Sequence, residues 1–182
     1  LRVLGGAIVR ISCTIDGKQV ELSLPPMATL SELLRRSGGL APEDPAAQCG
    51  SSFAFECLLC SVILDGRVVA ACRVPAYRAN GATILTYEGF REGEEAQEIE
   101  EAFRENGTEL CDSCRAGVIL TTHALVHQSG GSDPLEIRQV ARRLQCRCLN
   151  PTDFVRAVYA VSEGQRPQGQ RVRTSDMRSD RL

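Results

Sequence analysis

Cysteine spacing constrains this chain more than any other feature of its sequence. Eight of its nine cysteines fall into two groups of four. The sequence opens without a charged, apolar and small-residue signal pattern, so disulfides of an oxidising compartment are not the first expectation. An odd cysteine count also fits poorly with complete disulfide pairing. Two four-thiolate metal sites and one buried thiol account for all nine.

Length and composition limit the possible function classes. The 182 residues are 43% hydrophobic and carry a net charge of -2, which suits a globular protein and argues against nucleic-acid binding. No apolar run approaches the roughly 20 residues needed to span a bilayer. We therefore expect a cytoplasmic protein with no nucleic-acid partner and no membrane span.

Alternating apolar residues predict hairpins in the first 90 residues. The run 8–24 is divided by Asp16-Gly17, and the apolar runs 61–64 and 67–71 are joined by Asp65-Gly66. Asp-Gly pairs at such positions are a strong signal for a tight β-turn. The pattern thus predicts two hairpins.

One helix and a fifth strand complete this part. Thr29 and Glu32 have capping-box spacing at the start of a short helix that Gly38-Gly39 can end. A further strand is predicted over 83–87, ending before Gly89. We expect a small mixed sheet with one helix packed across it.

The period changes to that of helices from Glu92 onward. An acidic run opens the first predicted helix, and we interpret it as a solvated face, with docking of a basic partner as the alternative. Three more helices are predicted over 115–128, 134–145 and 151–162, the last two capped by Asp133 and Asn150. Residues 164–182 are polar and predict a tail that is disordered or ordered by a partner.

The two cysteine groups are placed where thiolates can converge. The first comprises Cys49, Cys57, Cys60 and Cys72, with Cys57 and Cys60 just before a strand and Cys72 at the end of its hairpin. The second pairs a CxxC at a helix start with a CxC after a helix end: Cys111, Cys114, Cys146 and Cys148. Four converging thiolates can hold an iron–sulfur cluster or a structural zinc ion.

These patterns resemble the small iron–sulfur subunit of the xanthine oxidase family of molybdenum hydroxylases, which includes xanthine dehydrogenases, aldehyde oxidases and aerobic carbon monoxide dehydrogenases. The likeness runs from about Ile11 to Val161. Its landmarks are the stretch 56–66 around Cys57 and Cys60, Cys72, Thr86-Tyr87-Glu88-Gly89, the Cys111/Cys114 pair with Gly117, and Cys146-Arg147-Cys148.

The resemblance implies an α+β architecture of two domains. Residues 1–90 would form a β-grasp ferredoxin-like domain and residues 91–163 a four-helix bundle, each with one [2Fe-2S] cluster. The chain would relay single electrons, with no catalytic residue of its own. The cluster of the helical domain would be nearer a molybdenum-pterin cofactor and that of the sheet domain nearer FAD, both in partner chains of a hetero-oligomer.

Two departures from the family pattern concern the surroundings of the cysteines. Seven residues separate Cys49 from Cys57, where plant-type ferredoxins have four, and bulky residues replace most of the usual glycines of that loop. Leu110 stands where the family usually has a glutamine that touches the pterin. We expect contact with the molybdenum cofactor to be altered or absent.

The other potential metal-binding or catalytic residues give only weak signals. Cys13 lies in a predicted strand and is interpreted as a buried small hydrophobe. His123 and His127 are four residues apart on a predicted helix, but no third ligand accompanies them in sequence, so we interpret them as surface residues. No catalytic triad, phosphate loop or carboxylate pair occurs. The alternatives left open are a structural paralogue with one cluster or none, and a stand-alone ferredoxin-like or zinc module.

Overall fold

A five-stranded mixed sheet forms from the first part of the chain. The structure is a computed structural model that describes residues 7–40, 59–128, 133–144 and 146–164. The strands run in the order β2-β1-β5-β3-β4. β1 and β5 are parallel, and the other neighbours are antiparallel. Their bounds are β1 Val9–Ile15, β2 Lys18–Leu24, β3 Ser61–Leu64, β4 Arg67–Ala70 and β5 Thr83–Leu85.

Both predicted hairpins are confirmed. Asp16 and Asp65 have φ values of 48° and 47°, and Gly17 and Gly66 both have 78°. Two successive residues in the left-handed region make the turn whose twist matches that of the flanking strands.

One helix, α1 (Leu30–Ser37), packs against the core of the sheet. Thr29 Oγ1 accepts a hydrogen bond from the Glu32 N–H at 3.3 Å, and Gly38 ends the helix with a φ of 76°. Leu30, Leu33 and Leu34 are fully buried against alternate residues of β1. The predicted capping residues therefore place one apolar helix face on one face of the sheet.

The predicted end of the last strand, at residue 87, is wrong. β5 stops at Leu85, and residues Tyr87–Phe90 form a short helix, α2. Thr86 causes the change: its Oγ1 accepts a hydrogen bond from the Gly89 N–H at 3.1 Å, which caps the helix. Its own N–H and hydroxyl donate to the carboxylate of Asp16, each at 2.8 Å.

Four longer helices follow. They are α3 (Glu94–Glu105), α4 (Asp112–Gln128), α5 (Pro134–Arg143) and α6 (Pro151–Gly164). Asp133 and Asn150 cap the last two as predicted, since their side chains accept hydrogen bonds from the N–H groups of Leu135 and Thr152, both at 2.9 Å. α4 begins three residues earlier than the predicted 115, which brings the helix start to the CxxC pair.

The helices share a core that is centred on two aromatic rings. Phe103 of α3 and Phe154 of α6 are fully buried, with ring centroids 5.9 Å apart. A smaller buried cluster joins the sheet to α4 through Ile63, Leu120 and Ala124. Within the described ranges, no helix is long and apolar enough to cross a membrane.

Candidate metal centre

Four cysteine sulfurs of the helical part converge on one point, as the second spacing pattern predicts. Their Sγ atoms form a closed ring whose edges are 3.7 Å (Cys111 to Cys114), 3.2 Å (Cys114 to Cys148), 3.4 Å (Cys148 to Cys146) and 3.5 Å (Cys146 to Cys111). None of the four is in a disulfide. The CxxC and CxC motifs therefore supply one set of four sulfur donors.

The start of α4 positions the first pair. The carbonyl of Cys111 accepts hydrogen bonds from the N–H groups of Cys114 and Arg115 at 3.0 and 2.9 Å, so Cys111 precedes the first helical turn and Cys114 lies within it. Backbone N–H groups at a helix start carry partial positive charge. That charge favours thiolates at this position.

A short loop between α5 and α6 positions the second pair. Leu144 and Leu149 are buried in the helical core on either side of it. The Leu149 N–H donates to the Cys146 carbonyl at 3.3 Å, which closes a turn around Cys148. Because both flanks are anchored in the core, the two sulfurs return to the start of α4.

The sulfurs compete for protons. Burial raises the pKa of Cys111, but hydrogen bonds with Cys146, Cys148 and Cys114 outweigh it and lower the pKa to about 7. Burial raises the pKa of Cys114, and so do its hydrogen bonds to Cys148 and Cys111. The lowered pKa of Cys111 beside the raised pKa of Cys114 follows from how closely the sulfurs are grouped.

The donor set fits an iron–sulfur cluster. Four cysteine thiolates are the usual ligands of a [2Fe-2S] cluster, and structural zinc can use the same set. Cys114 is only 2% exposed and the other three are half-buried. Residues at these positions would hold the group at the edge of the helical core, partly shielded from water.

The first cysteine group is placed only in part. Cys60 is buried just before β3, and Cys72 is half-buried in a 3₁₀ turn just after β4. The Ala71 N–H donates to the Cys60 carbonyl at 2.9 Å, so the two cysteines lie at the same end of the hairpin. Cys49 and Cys57 lie outside the described residues. A site of all four therefore stays a prediction.

Leu110 points into the protein. Its side chain is 6% exposed and belongs to the helical core. Its carbonyl accepts a hydrogen bond from Arg115 Nη2 at 2.9 Å, while Arg115 Nη1 forms an ion pair with Glu100 Oε1 at 2.7 Å. The residue that replaces the family glutamine thus contributes packing, and an arginine and a glutamate occupy the surface beside it.

Cys13 is a buried thiol, as predicted. It lies in β1 with 3% exposure, among apolar side chains of the sheet core. Burial raises its pKa, which keeps it protonated. Such a thiol behaves as a small hydrophobic residue.

The histidine pair has the third partner that the sequence did not reveal. Glu95 Oε1 lies 2.7 Å from His123 Nδ1 and 2.6 Å from His127 Nε2. The expectation that no third ligand accompanies the two histidines is therefore wrong, although His127 is exposed at the surface. Glu95 belongs to the acidic run at the start of α3, and only the packing of α3 on α4 brings it to residues 28 and 32 positions away.

Comparison with known proteins agrees with the cysteine geometry. The family model of the [2Fe-2S] binding domain matches residues 86–159. The xanthine dehydrogenase iron-sulfur-binding subunit of Escherichia coli O157:H7 is 32% identical over 153 residues, covering 82% of this chain and 92% of its own. The nicotinate dehydrogenase small FeS subunit of Eubacterium barkeri is 30% identical over 154 residues, which cover 84% of this chain and 95% of that subunit.

A solved structure extends the similarity to the fold. Quinoline 2-oxidoreductase from Pseudomonas putida 86 matches with a TM-score of 0.67 and 28% identity, over 86% of this chain and 95% of the matched chain. The matched part includes the sheet as well as the helices. The chain therefore belongs to the small iron–sulfur subunits of the xanthine oxidase family of molybdenum hydroxylases.

Proposed function

We propose that this chain is the electron-transfer subunit of a molybdenum-containing hydroxylase or dehydrogenase, with two [2Fe-2S] clusters and no substrate site of its own. The observation that carries the proposal is the convergence of four sulfurs inside the part of the chain that matches the [2Fe-2S] binding domain. When bound, a [2Fe-2S] cluster accepts and donates one electron at a time. The relatives named above are subunits of dehydrogenases, which supports the same role here.

The chain's own residues would hold and shield the clusters. Cys111, Cys114, Cys146 and Cys148 supply the thiolates for one cluster, and the start of α4 stabilises their negative charge. Leu110, Leu144 and Leu149 exclude water on the protein side. The second cluster would use Cys60 and Cys72, which lie at one end of a hairpin, together with Cys49 and Cys57.

The division into two domains belongs to the same proposal. We place a β-grasp ferredoxin-like domain at 1–90, a four-helix bundle at 91–163 and a tail at 164–182. Separate hydrophobic clusters in the sheet and in the longer helices support this division.

The partners would be a large chain with the molybdenum-pterin cofactor and a chain with FAD. Arg142, Arg143 and Arg147 are exposed beside the second cysteine pair, where they could meet an acidic partner surface. A cytoplasmic location stays a prediction.

Metal and sulfide content tests the proposal most simply. We expect four irons and four acid-labile sulfides per full-length chain, and larger chains that co-purify with it. Two irons would leave one cluster and support a partly structural paralogue. Zinc without sulfide would contradict the iron–sulfur assignment, and a chain with clusters but without co-purifying partners would be a stand-alone carrier.

A further inference from the structure

A second cluster of metal-ligating side chains lies away from the cysteines. Glu95 of α3 and His123 and His127 of α4 place one oxygen and two nitrogens within 4.8 Å of one another. The cysteine pair lies at the start of α4, and His123 is nine residues beyond Cys114. At 1.5 Å of rise per residue this is about 14 Å along the helix, so the two groups are separate.

The packing fixes these side chains in place. His123 and His127 are one turn apart on the same face of α4, with ring centroids 4.6 Å apart. The Phe90 ring packs against His123 with a centroid distance of 4.6 Å. The side chains of Glu95 and His123 are 26% and 21% exposed and that of His127 is 49% exposed. The group is thus shielded on one side and open to solvent on the other.

The donor chemistry is that of a zinc site. Two imidazole nitrogens and one carboxylate oxygen form a known three-ligand zinc set, in which water takes the fourth position. The two histidines share a single carboxylate oxygen. Although burial raises the pKa of Glu95, hydrogen bonds from both histidines lower it below its ordinary value, so this ligand is ionised.

We propose that Glu95, His123 and His127 bind one zinc ion that joins the start of α3 to the end of α4. Bonds of about 2.0–2.1 Å in tetrahedral geometry place neighbouring ligand atoms about 3.3 Å apart. The present oxygen–nitrogen distances are 2.6 and 2.7 Å, so each side chain moves outward by a fraction of an ångström. Zinc needs a lone pair on His123 Nδ1 and His127 Nε2, so a proton on either atom moves to the other nitrogen of the same ring or to solvent when the metal binds. The open side at His127 leaves room for the water ligand.

The competing explanation is that hydrogen bonds alone join the helices. In that case Glu95 and the histidines stabilise α3 against α4 without metal, and zinc changes nothing. A substitution that keeps the hydrogen-bonding capacity but weakens metal binding separates the two cases. Glu95→Gln is such a change, because the amide oxygen still accepts a hydrogen bond while the negative charge is lost.

The test is zinc stoichiometry on the full-length, cluster-loaded protein. The protein is stripped of loosely bound metal with EDTA, dialysed against micromolar zinc chloride, and analysed for zinc and iron by mass spectrometry. We expect one zinc per chain in the wild type, unchanged iron, and loss of that zinc in His127→Gln and Glu95→Gln. Glu98→Gln is the matched control, because Glu98 is exposed on the same helix and outside the ligand set.

Thermal unfolding gives a second readout. Zinc should raise the Tm of the wild type and of Glu98→Gln, and it should leave the Tm of His127→Gln unchanged. Absence of zinc from the wild type, or equal zinc in the wild type and His127→Gln, would overturn the proposal. A Tm that zinc changes in none of these proteins would also overturn it, in favour of the hydrogen-bonded arrangement.

Discussion

Gly89 lies so close to Asp16 that a larger residue would force the Asp16 side chain to shift. A Cβ at this position would be 2.3 Å from the Asp16 carboxylate and 2.7 Å from its Cβ. That carboxylate accepts two hydrogen bonds from Thr86, whose own side chain caps α2. The family landmark Thr86-Tyr87-Glu88-Gly89 therefore has a structural reason: it ties the first hairpin turn to the start of the helical part.

Gly89→Ala should lower the free energy of unfolding by about 1–3 kcal/mol, because the new methyl group displaces the Asp16 carboxylate. Urea denaturation measures the effect. Gly164→Ala is the control, since its Cβ meets nothing within 4 Å. Equal stability of Gly89→Ala and the wild type would contradict the account of this contact.

Cys114 and Cys13 are both buried but should differ in function. Cys114→Ser should remove the cluster of the helical part and about half of the iron, because a hydroxyl replaces one of four thiolate ligands. Cys13→Ala should keep all iron, since Cys13 is surrounded by apolar residues of the sheet. Iron and acid-labile sulfide per chain are measured in both variants. Equal iron in Cys114→Ser and Cys13→Ala would contradict the assignment of Cys114 as a ligand.

The ends of helices α4 and α5 position the four cysteine sulfurs. α4 begins immediately after Cys111, and α5 ends just before the loop that carries Cys146 and Cys148. The geometry of the site therefore depends on where these helices start and stop. Capping residues far from the sulfurs should affect how firmly the cluster is held.

Asp133→Ala should lower the free energy of unfolding by about 1 kcal/mol, because the Leu135 N–H at the start of α5 loses its hydrogen bond. Asp133→Asn should stay close to the wild type, since asparagine caps helices equally well. Thermal melts of the three proteins test this. If both variants lose the same stability, capping is not the cause.

A small apolar contact is a second link between the sheet and the helices. Ile63 of β3 packs with Leu120 and Ala124 of α4. Partly buried Leu85 and Phe90 extend this cluster. Because Cys114 lies in α4 and Cys111 immediately precedes it, this contact fixes the sheet relative to the metal centre.

Leu120→Ala should lower the free energy of unfolding by about 2–5 kcal/mol, because Leu120 is fully buried and its loss leaves a cavity. Leu135→Ala is the matched control: its side chain is 62% exposed, and we expect a change within about 0.5 kcal/mol. Denaturant unfolding compares them. A Leu120→Ala protein as stable as the control would argue against this contact.

Local signals explain what the sequence could predict. The Asp-Gly turns, the Thr29 and Asp133 caps and the CxxC and CxC spacing depend on residues close together in the chain, and the structure places them as expected. The features that the sequence did not predict depend on residues that are far apart in the chain. Thr86 bonds to a residue 70 positions away, and Glu95 meets histidines 28 and 32 positions away. No pattern within one element contains that information.

A reductive titration of the full-length protein measures how many one-electron centres the chain holds. Dithionite is added stepwise under anaerobic conditions while visible absorption and electron paramagnetic resonance are recorded. We expect two electrons to be taken up per wild-type chain, with two distinct one-electron signals, and one electron per Cys114→Ser chain. A wild-type chain that takes up no electrons, or a Cys114→Ser chain that still takes up two, would contradict it.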